Sequence, residues 1–250
     1  MVEQVPWWIG LCLFAAFAWV VTIAKARSMG DGAGTMGLSL WAFLVVWVVM
    51  MAAMMFPSVA PMATAWIRSI GARPSRAERV GGIVQFLAGY LIAWAAFGAA
   101  VYVALAGAQR VVDDASTAAK WAGAAIFAVA GIYQLTPLKS VCLRHCRSPI
   151  GSLFHYASYR GPLRDVRVGI HHGLYCVGCC WGLMIVLIAV GVMNVPAMVL
   201  LAGVILVEKV WRYGEPFSIA VGIVLLVMAV LAPFTTWLLP DQHPAPMPAM

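Results

Sequence analysis

Sulfur and imidazole side chains are concentrated in one short stretch, residues 169–184, which reads GIHHGLYCVGCCWGLM. On a helix, positions separated by four or seven residues share one face. Thiolates, thioethers and imidazoles select soft or borderline ions such as Cu(I) or Zn(II) over Mg(II) or Ca(II). The spacing therefore predicts a soft-metal site or thiol chemistry, with packing by small apolar cysteines as the alternative. The donors on this face are His172, Cys176, Cys179, Cys180 and Met184.

A second thiol pair, Cys142 and Cys146, encloses the sequence Leu-Arg-His. If this segment is helical, the C-x-x-x-C spacing puts both sulfur atoms on one face, where they could bind a metal or exchange electrons. The alternatives are a disulfide or two unreactive thiols. A stable disulfide is disfavoured if the segment faces the reducing cytoplasm.

Methionines at one-turn spacing form the third feature, within VVMMAAMMFP. Thioethers bind Cu(I) without protonation, so Met51, Met54 and Met55 could relay the ion along a helix. Packing by flexible side chains is the alternative.

Three polar residues near these segments are candidates for supporting roles. Glu208 follows a short apolar stretch, and a buried ionisable group in a membrane helix suggests function. The alternative is a salt bridge at the interface, either between Glu208 and Lys209 or with the loop, with Lys209 extended towards water. Gln134 could orient ligands or join helices by a hydrogen bond. His171, beside His172, leaves haem handling open, although the sequence contains no C-x-x-C-H motif.

The composition identifies the class of protein. Of 250 residues, 64% are apolar and 10% charged, and the mean hydropathy is +0.93. A soluble domain of this length cannot bury such an apolar excess. A soluble enzyme and a disordered chain are therefore excluded, and we expect an all-α, polytopic membrane helix bundle.

Seven apolar stretches stand between polar breaks, and their continuous hydrophobicity does not suit an alternating β-barrel. They predict about seven transmembrane helices within a single domain, residues 1–240, followed by a disordered proline-rich tail, 241–250. The only sizeable soluble segment would be the loop at about 139–168, with at most one short helix. The predicted spans are 6–24, 38–62, 81–106, 121–138, 169–190, 196–210 and 216–238.

Lysine and arginine give the expected orientation. Twelve lie on the side of the N-terminus and the even-numbered loops, and four on the other side. The positive-inside rule then places the N-terminus in the cytoplasm and the C-terminus outside. The net charge of +7 reflects this topology, so no nucleic-acid partner is expected. In this topology all three sulfur-rich segments lie in the cytoplasmic half of the membrane.

Five segments together resemble a bacterial family of predicted metal-binding integral membrane proteins, known mainly as a domain of unknown function. The resemblance implies a multi-pass inner-membrane protein with a metal site that includes Cys142, Cys146, Cys176, Cys179 and Cys180. The segments are VVMMAAMMFPS (48–58), YQLTPLKSVCLRHCRSP (133–149), GLYCVGCCWGLM (173–184), GVMNVPAM (191–198) and LVEKV (206–210).

The leading hypothesis is a membrane protein that handles copper, as Cu(I), for delivery or transport, with zinc as the alternative ion. Cys176, Cys179, Cys180 and His172 would bind it, and Cys142 with Cys146 would form a transfer point. The expected partners are the lipid bilayer, the metal ion and a metal-accepting protein; the number of subunits stays open, a homo-oligomer included. The second hypothesis is a thiol oxidoreductase using the Cys176–Cys179 pair. The third is a structural zinc or haem-handling assembly factor. Only the second hypothesis makes the protein an enzyme, and no catalytic residue is assigned.

Overall fold

The computed structural model describes residues 5–29, 37–71, 73–112 and 116–234. Every regular element in these ranges is helical, as predicted. The predicted tail at 241–250 lies outside the described residues. The helices are α1 (Val5–Met29), α2 (Leu40–Ile70), α3 (Arg76–Val112), α4 (Ser116–Gln134), α5 (Pro137–Arg147), α6 (Pro149–Tyr156), α7 (Arg164–Val190), α8 (Val195–Val210) and α9 (Gly214–Leu231), followed by a 3-10 turn, Ala232–Phe234.

Each predicted apolar stretch corresponds to a helix, but not every helix is long enough to cross a bilayer. Within the described ranges α1, α2, α3, α7 and α9 are long and apolar enough, and α4 with α5 could form a sixth span bent by 65°. Helix α8 has 16 residues, whereas a full crossing needs about 20. Seven crossings and the side of each terminus therefore stay predictions.

The break between α4 and α5 interrupts the predicted span 121–138. Helix α4 ends at Gln134, and Pro137 begins α5. Thr136 caps α5 by accepting a hydrogen bond from the Lys139 backbone at 3.3 Å. Proline suits the first turn of a helix, where its missing N–H needs no partner.

The predicted loop at 139–168 is also wrong, because most of it is folded. It contains α5 and α6, and α5 packs against α7. Lys139, expected in the loop, is 1% exposed, and Lys209 is 8% exposed. Two of the twelve cations counted for topology therefore lie inside the bundle.

Small residues bring α7 close to its neighbours. A Cβ atom added at Gly169 would overlap the backbone oxygen of Phe86 in α3, and one at Gly173 would lie 2.7 Å from the Ala93 side chain. Gly178 faces Cys142 in α5. The glycines thus allow close approach of α7 to more than one helix.

The first turn of α7 is held at the polar end of the bundle. Arg73, which precedes α3, makes a bidentate ion pair with the buried Asp165 at 2.8 and 2.9 Å. This hydrogen bonding raises the pKa of Arg73 above its ordinary value. The ion pair fixes the start of the helix that carries the thiols.

Candidate metal centre

Three buried thiols lie together on α7. The sulfur atoms of Cys176, Cys179 and Cys180 are all within 4.8 Å of one another, and each residue is 1% exposed. No other trio of candidate ligands among the described residues is gathered this closely. Ligands around one metal at a metal–sulfur distance of about 2.3 Å would be separated by about 4 Å. Small side-chain rotations would therefore suffice to surround one ion.

The hydrogen bonds of two of these thiols are local and weak. Cys179 and Cys180 both donate to the backbone oxygen of Cys176, at 3.2 and 2.8 Å. A thiol is a poor hydrogen-bond donor, so little is lost when a metal ion replaces the thiol proton. The helical spacing of α7 alone brings the sulfur atoms of Cys179 and Cys180 close to that of Cys176.

Cys176 contacts polar groups from two other helices. The Lys209 Nζ lies 2.9 Å from its sulfur and 3.2 Å from the Ser58 hydroxyl. The Tyr90 hydroxyl lies 3.0 Å from the same sulfur. A cation and a phenol next to sulfur stabilise negative charge there, which is the form that binds metal.

Glu208 forms its salt bridge with Lys139 of the predicted loop. Lys209, contrary to the other parts of the alternative, neither pairs with Glu208 nor extends towards water. Glu208 instead accepts from Lys139 at 2.7 Å and from Gln134 at 2.6 Å. Lys139 Nζ also donates to the backbone oxygen of Cys179. This buried network of hydrogen bonds therefore holds the backbone that carries the thiols. Glu208 and Gln134 are connected to the site through Lys139.

The thiols of α5 approach the α7 trio. The Cys146 thiol lies close enough to the Cys179 thiol for the two groups to interact. Cys142 lies against Gly178, where an added Cβ atom would come 2.9 Å from its sulfur. The two predicted clusters are therefore neighbours across one helix interface.

The adjacent histidines have different surroundings. His172 is 3% exposed, and within the described part of the chain its Nδ1 has no hydrogen-bond partner. An unpaired buried nitrogen is costly, and ligation of a metal would satisfy it. His171 instead contacts the Tyr156 hydroxyl at 3.3 Å.

The candidate methionines are all buried. Met51, Met54 and Met55 are at most 1% exposed. The Met55 sulfur lies 4.0 Å from the Ser58 hydroxyl, which Lys209 links to Cys176. Met184 is buried one turn beyond Cys180. The sulfur-rich part of α2 is therefore on the same side of the bundle as the thiols.

The sequence analysis does not predict three side chains that lie near the thiols. They are Tyr90, Lys139 and Lys209, the last as a partner of the Cys176 thiol. Each is a polar group buried in an apolar bundle. That rarity is the available sequence signal, because ionisable groups inside a membrane bundle are expensive.

A family model described as PpoB2, copper chaperone, matches residues 44–232. No curated protein and no solved structure matches the chain. The matched range covers more than half of the chain and contains all five cysteines of α5 and α7. The chain is therefore a member of the PpoB2 copper chaperone family.

Proposed function

We propose that this protein binds Cu(I) as cargo and delivers it to an accepting protein at the membrane. The observation that carries the proposal is the buried trio of thiols within 4.8 Å of one another. Soft thiolate ligands select Cu(I) among biological metal ions, and the family description names copper. Zinc binds similar ligands and is the alternative cargo.

Cys176, Cys179 and Cys180 are the proposed primary ligands, and His172 is a further donor. Cys146 lies beside Cys179 but belongs to another helix. An ion held by two or three sulfur atoms could exchange one ligand at a time and pass from α7 to α5. We propose that Cys146 and Cys142 form this transfer point.

The methionines of α2 are proposed as a relay from the membrane interior. Met55 supports this through its position near Ser58, which contacts Lys209 beside the thiols. Donors for a path to the opposite surface are few in the sequence, so delivery is favoured over full transport. The proposed location is the bacterial inner membrane.

Metal content of detergent-purified protein tests the proposal. We would compare wild type with the triple variant Cys176→Ser, Cys179→Ser, Cys180→Ser, using mass spectrometry for metals and a free-thiol count on the same sample. The matched control is Cys12→Ser, because Cys12 is an exposed cysteine of α1. We expect about one copper per wild-type and control chain, and none in the triple variant.

Each other outcome overturns the proposal in a specific way. Zinc in place of copper would identify a different cargo. No metal, with thiols lost in pairs and recovered by reductant, would favour the thiol oxidoreductase. No metal with all six thiols free, or copper retained by the triple variant, would assign the α7 cysteines to packing.

A further inference from the structure

Four of the five histidines in the sequence meet where α5, α6 and α7 join. The His155 and His171 rings stack at 5.0 Å between centroids. The His145 ring lies 6.0 Å from His171 and 6.2 Å from His172. These residues come from three helices, so the fold rather than one repeated motif brings the imidazoles together.

The Tyr156 hydroxyl joins two of these rings. It lies 3.0 Å from Nε2 of His145 and 3.3 Å from Nδ1 of His171. Tyr156 is fully buried. Because one hydroxyl donates one proton, it donates to one imidazole and accepts from the other. Two ring nitrogens are thus aimed at one point between α5 and α7.

The cluster connects the surface to the thiols. His155 is exposed, and His171 lines an open cavity of about 360 Å³ together with Tyr159 and Arg167. On the inner side, the His145 ring lies 6.2 Å from the ring of the buried His172, which is one helical turn from the buried Cys176 on α7. A ligand that enters at His155 therefore meets imidazoles first and thiols second.

We propose that His145, His155 and His171 form a Cu(I) exchange port, through which the cargo reaches and leaves the cysteine site. Imidazole nitrogen is a weaker ligand for Cu(I) than thiolate, so it can hold the ion briefly without trapping it. The step is ligand exchange alone: a copper–nitrogen bond breaks as a copper–sulfur bond forms, the freed imidazole nitrogen takes up the thiol proton, and copper remains Cu(I). The port rests on the proposed function, since the thiols are its destination.

Weak binding suits the geometry of the cluster. The imidazoles of His145 and His171 contact the Tyr156 hydroxyl within hydrogen-bond distance, His155 stacks on His171, and His145 stacks on Tyr175 at 3.8 Å. The rings must rotate out of these contacts before they can bind Cu(I). The cluster therefore binds the ion weakly and can exchange it. Arg167 at the cavity favours copper that arrives in an anionic thiolate complex over a bare cation.

The port predicts a change in rate without a change in affinity. The test uses the double variant His145→Gln, His171→Asn, whose amide groups can retain hydrogen bonds to Tyr156 but are poor ligands for Cu(I). Stopped-flow absorbance would follow Cu(I) transfer from loaded full-length protein to excess bathocuproine disulfonate. The matched control is His243→Asn, which changes the fifth histidine.

We expect transfer from the double variant to be at least tenfold slower, with an equilibrium Cu(I) affinity within about twofold of wild type. Free imidazole added to the His155→Ala variant should restore part of its lost rate. Transfer as fast as wild type would refute the port. A parallel loss of affinity and thermal stability would also refute it, because the histidines would then serve only to hold α5 and α6 on α7. If wild type takes up no copper, the proposed function itself fails.

Discussion

The lysine beside the thiols gives the sharpest prediction. Lys209 Nζ is 2.9 Å from the Cys176 sulfur and buried at 8% exposure. In Lys209→Met the apolar stem keeps nearly the same length, and the charge is lost. We expect copper affinity to fall while the metal-free protein keeps its stability or gains some, because a buried ammonium costs several kcal/mol to desolvate.

The magnitude follows from the distance between the two atoms. At 2.9 Å and an effective dielectric constant of about 20, a unit charge pair attracts by about 6 kcal/mol. The ammonium already contacts the neutral Cys176 thiol in the metal-free protein, and this contact, worth about 1.5–3 kcal/mol, offsets roughly half of the attraction. A net loss of about 3 kcal/mol of binding free energy corresponds to a roughly 100-fold larger dissociation constant for Cu(I).

Competition with a chromophoric Cu(I) chelator would measure this affinity, and thermal unfolding in the same detergent would measure stability. Lys209→Arg should recover most of the affinity because it keeps the positive charge. Wild-type affinity in Lys209→Met would refute the electrostatic argument. A large loss of stability in the metal-free variant would show that Lys209 holds the helices together instead.

The remaining predictions concern stability. Lys139→Met should lower the free energy of unfolding by about 3 kcal/mol, because it leaves Glu208 buried without its cation. Adding Glu208→Gln should recover much of this lost stability, which denaturation in detergent would measure. Gly169→Ala should lower the free energy of unfolding by about 1–3 kcal/mol, because the added Cβ would overlap the Phe86 backbone. A lower melting temperature would show this loss. Gly203→Ala, where a Cβ meets open space, is the matched control and should be neutral or slightly stabilising.

The helical elements could be predicted because long apolar runs determine them directly. The prediction is wrong for the polar segment at 139–168, whose composition indicates a loop although most of it is helical. The segment PLKSVCLRHCR contains four basic side chains yet forms α5, since Thr136 and Pro137 start it and Cys142 and Leu143 give it a buried face. Composition averages over both faces of a helix, and this segment has one polar and one buried face.

The candidate site was predictable in its donors but not in its surroundings. The spacing of Cys176, Cys179 and Cys180 predicts a shared face, and the fold brings the three sulfur atoms together. Lys209 contacts Cys176, whereas Glu208 pairs with Lys139. These pairings depend on how α5 and α8 pack around α7. Adjacent residues of one helix point in different directions, so pairing across helices cannot be inferred from their proximity in sequence.

The two lysines together suggest how the ion could be bound and still be released. The charge of Lys139 is balanced by Glu208, whereas the polar contacts of Lys209 in the described chain are the Ser58 hydroxyl and the Cys176 thiol. A buried site is most stable when its charges sum to zero. Cu(I) with two thiolates carries one negative charge, which Lys209 would balance, whereas three thiolates would leave an excess. The charge balance therefore favours two-coordinate Cu(I), with the third thiol and Cys146 free to replace a ligand. An ion bound in this way can leave by exchange, which a chaperone requires and a closed four-ligand site would oppose.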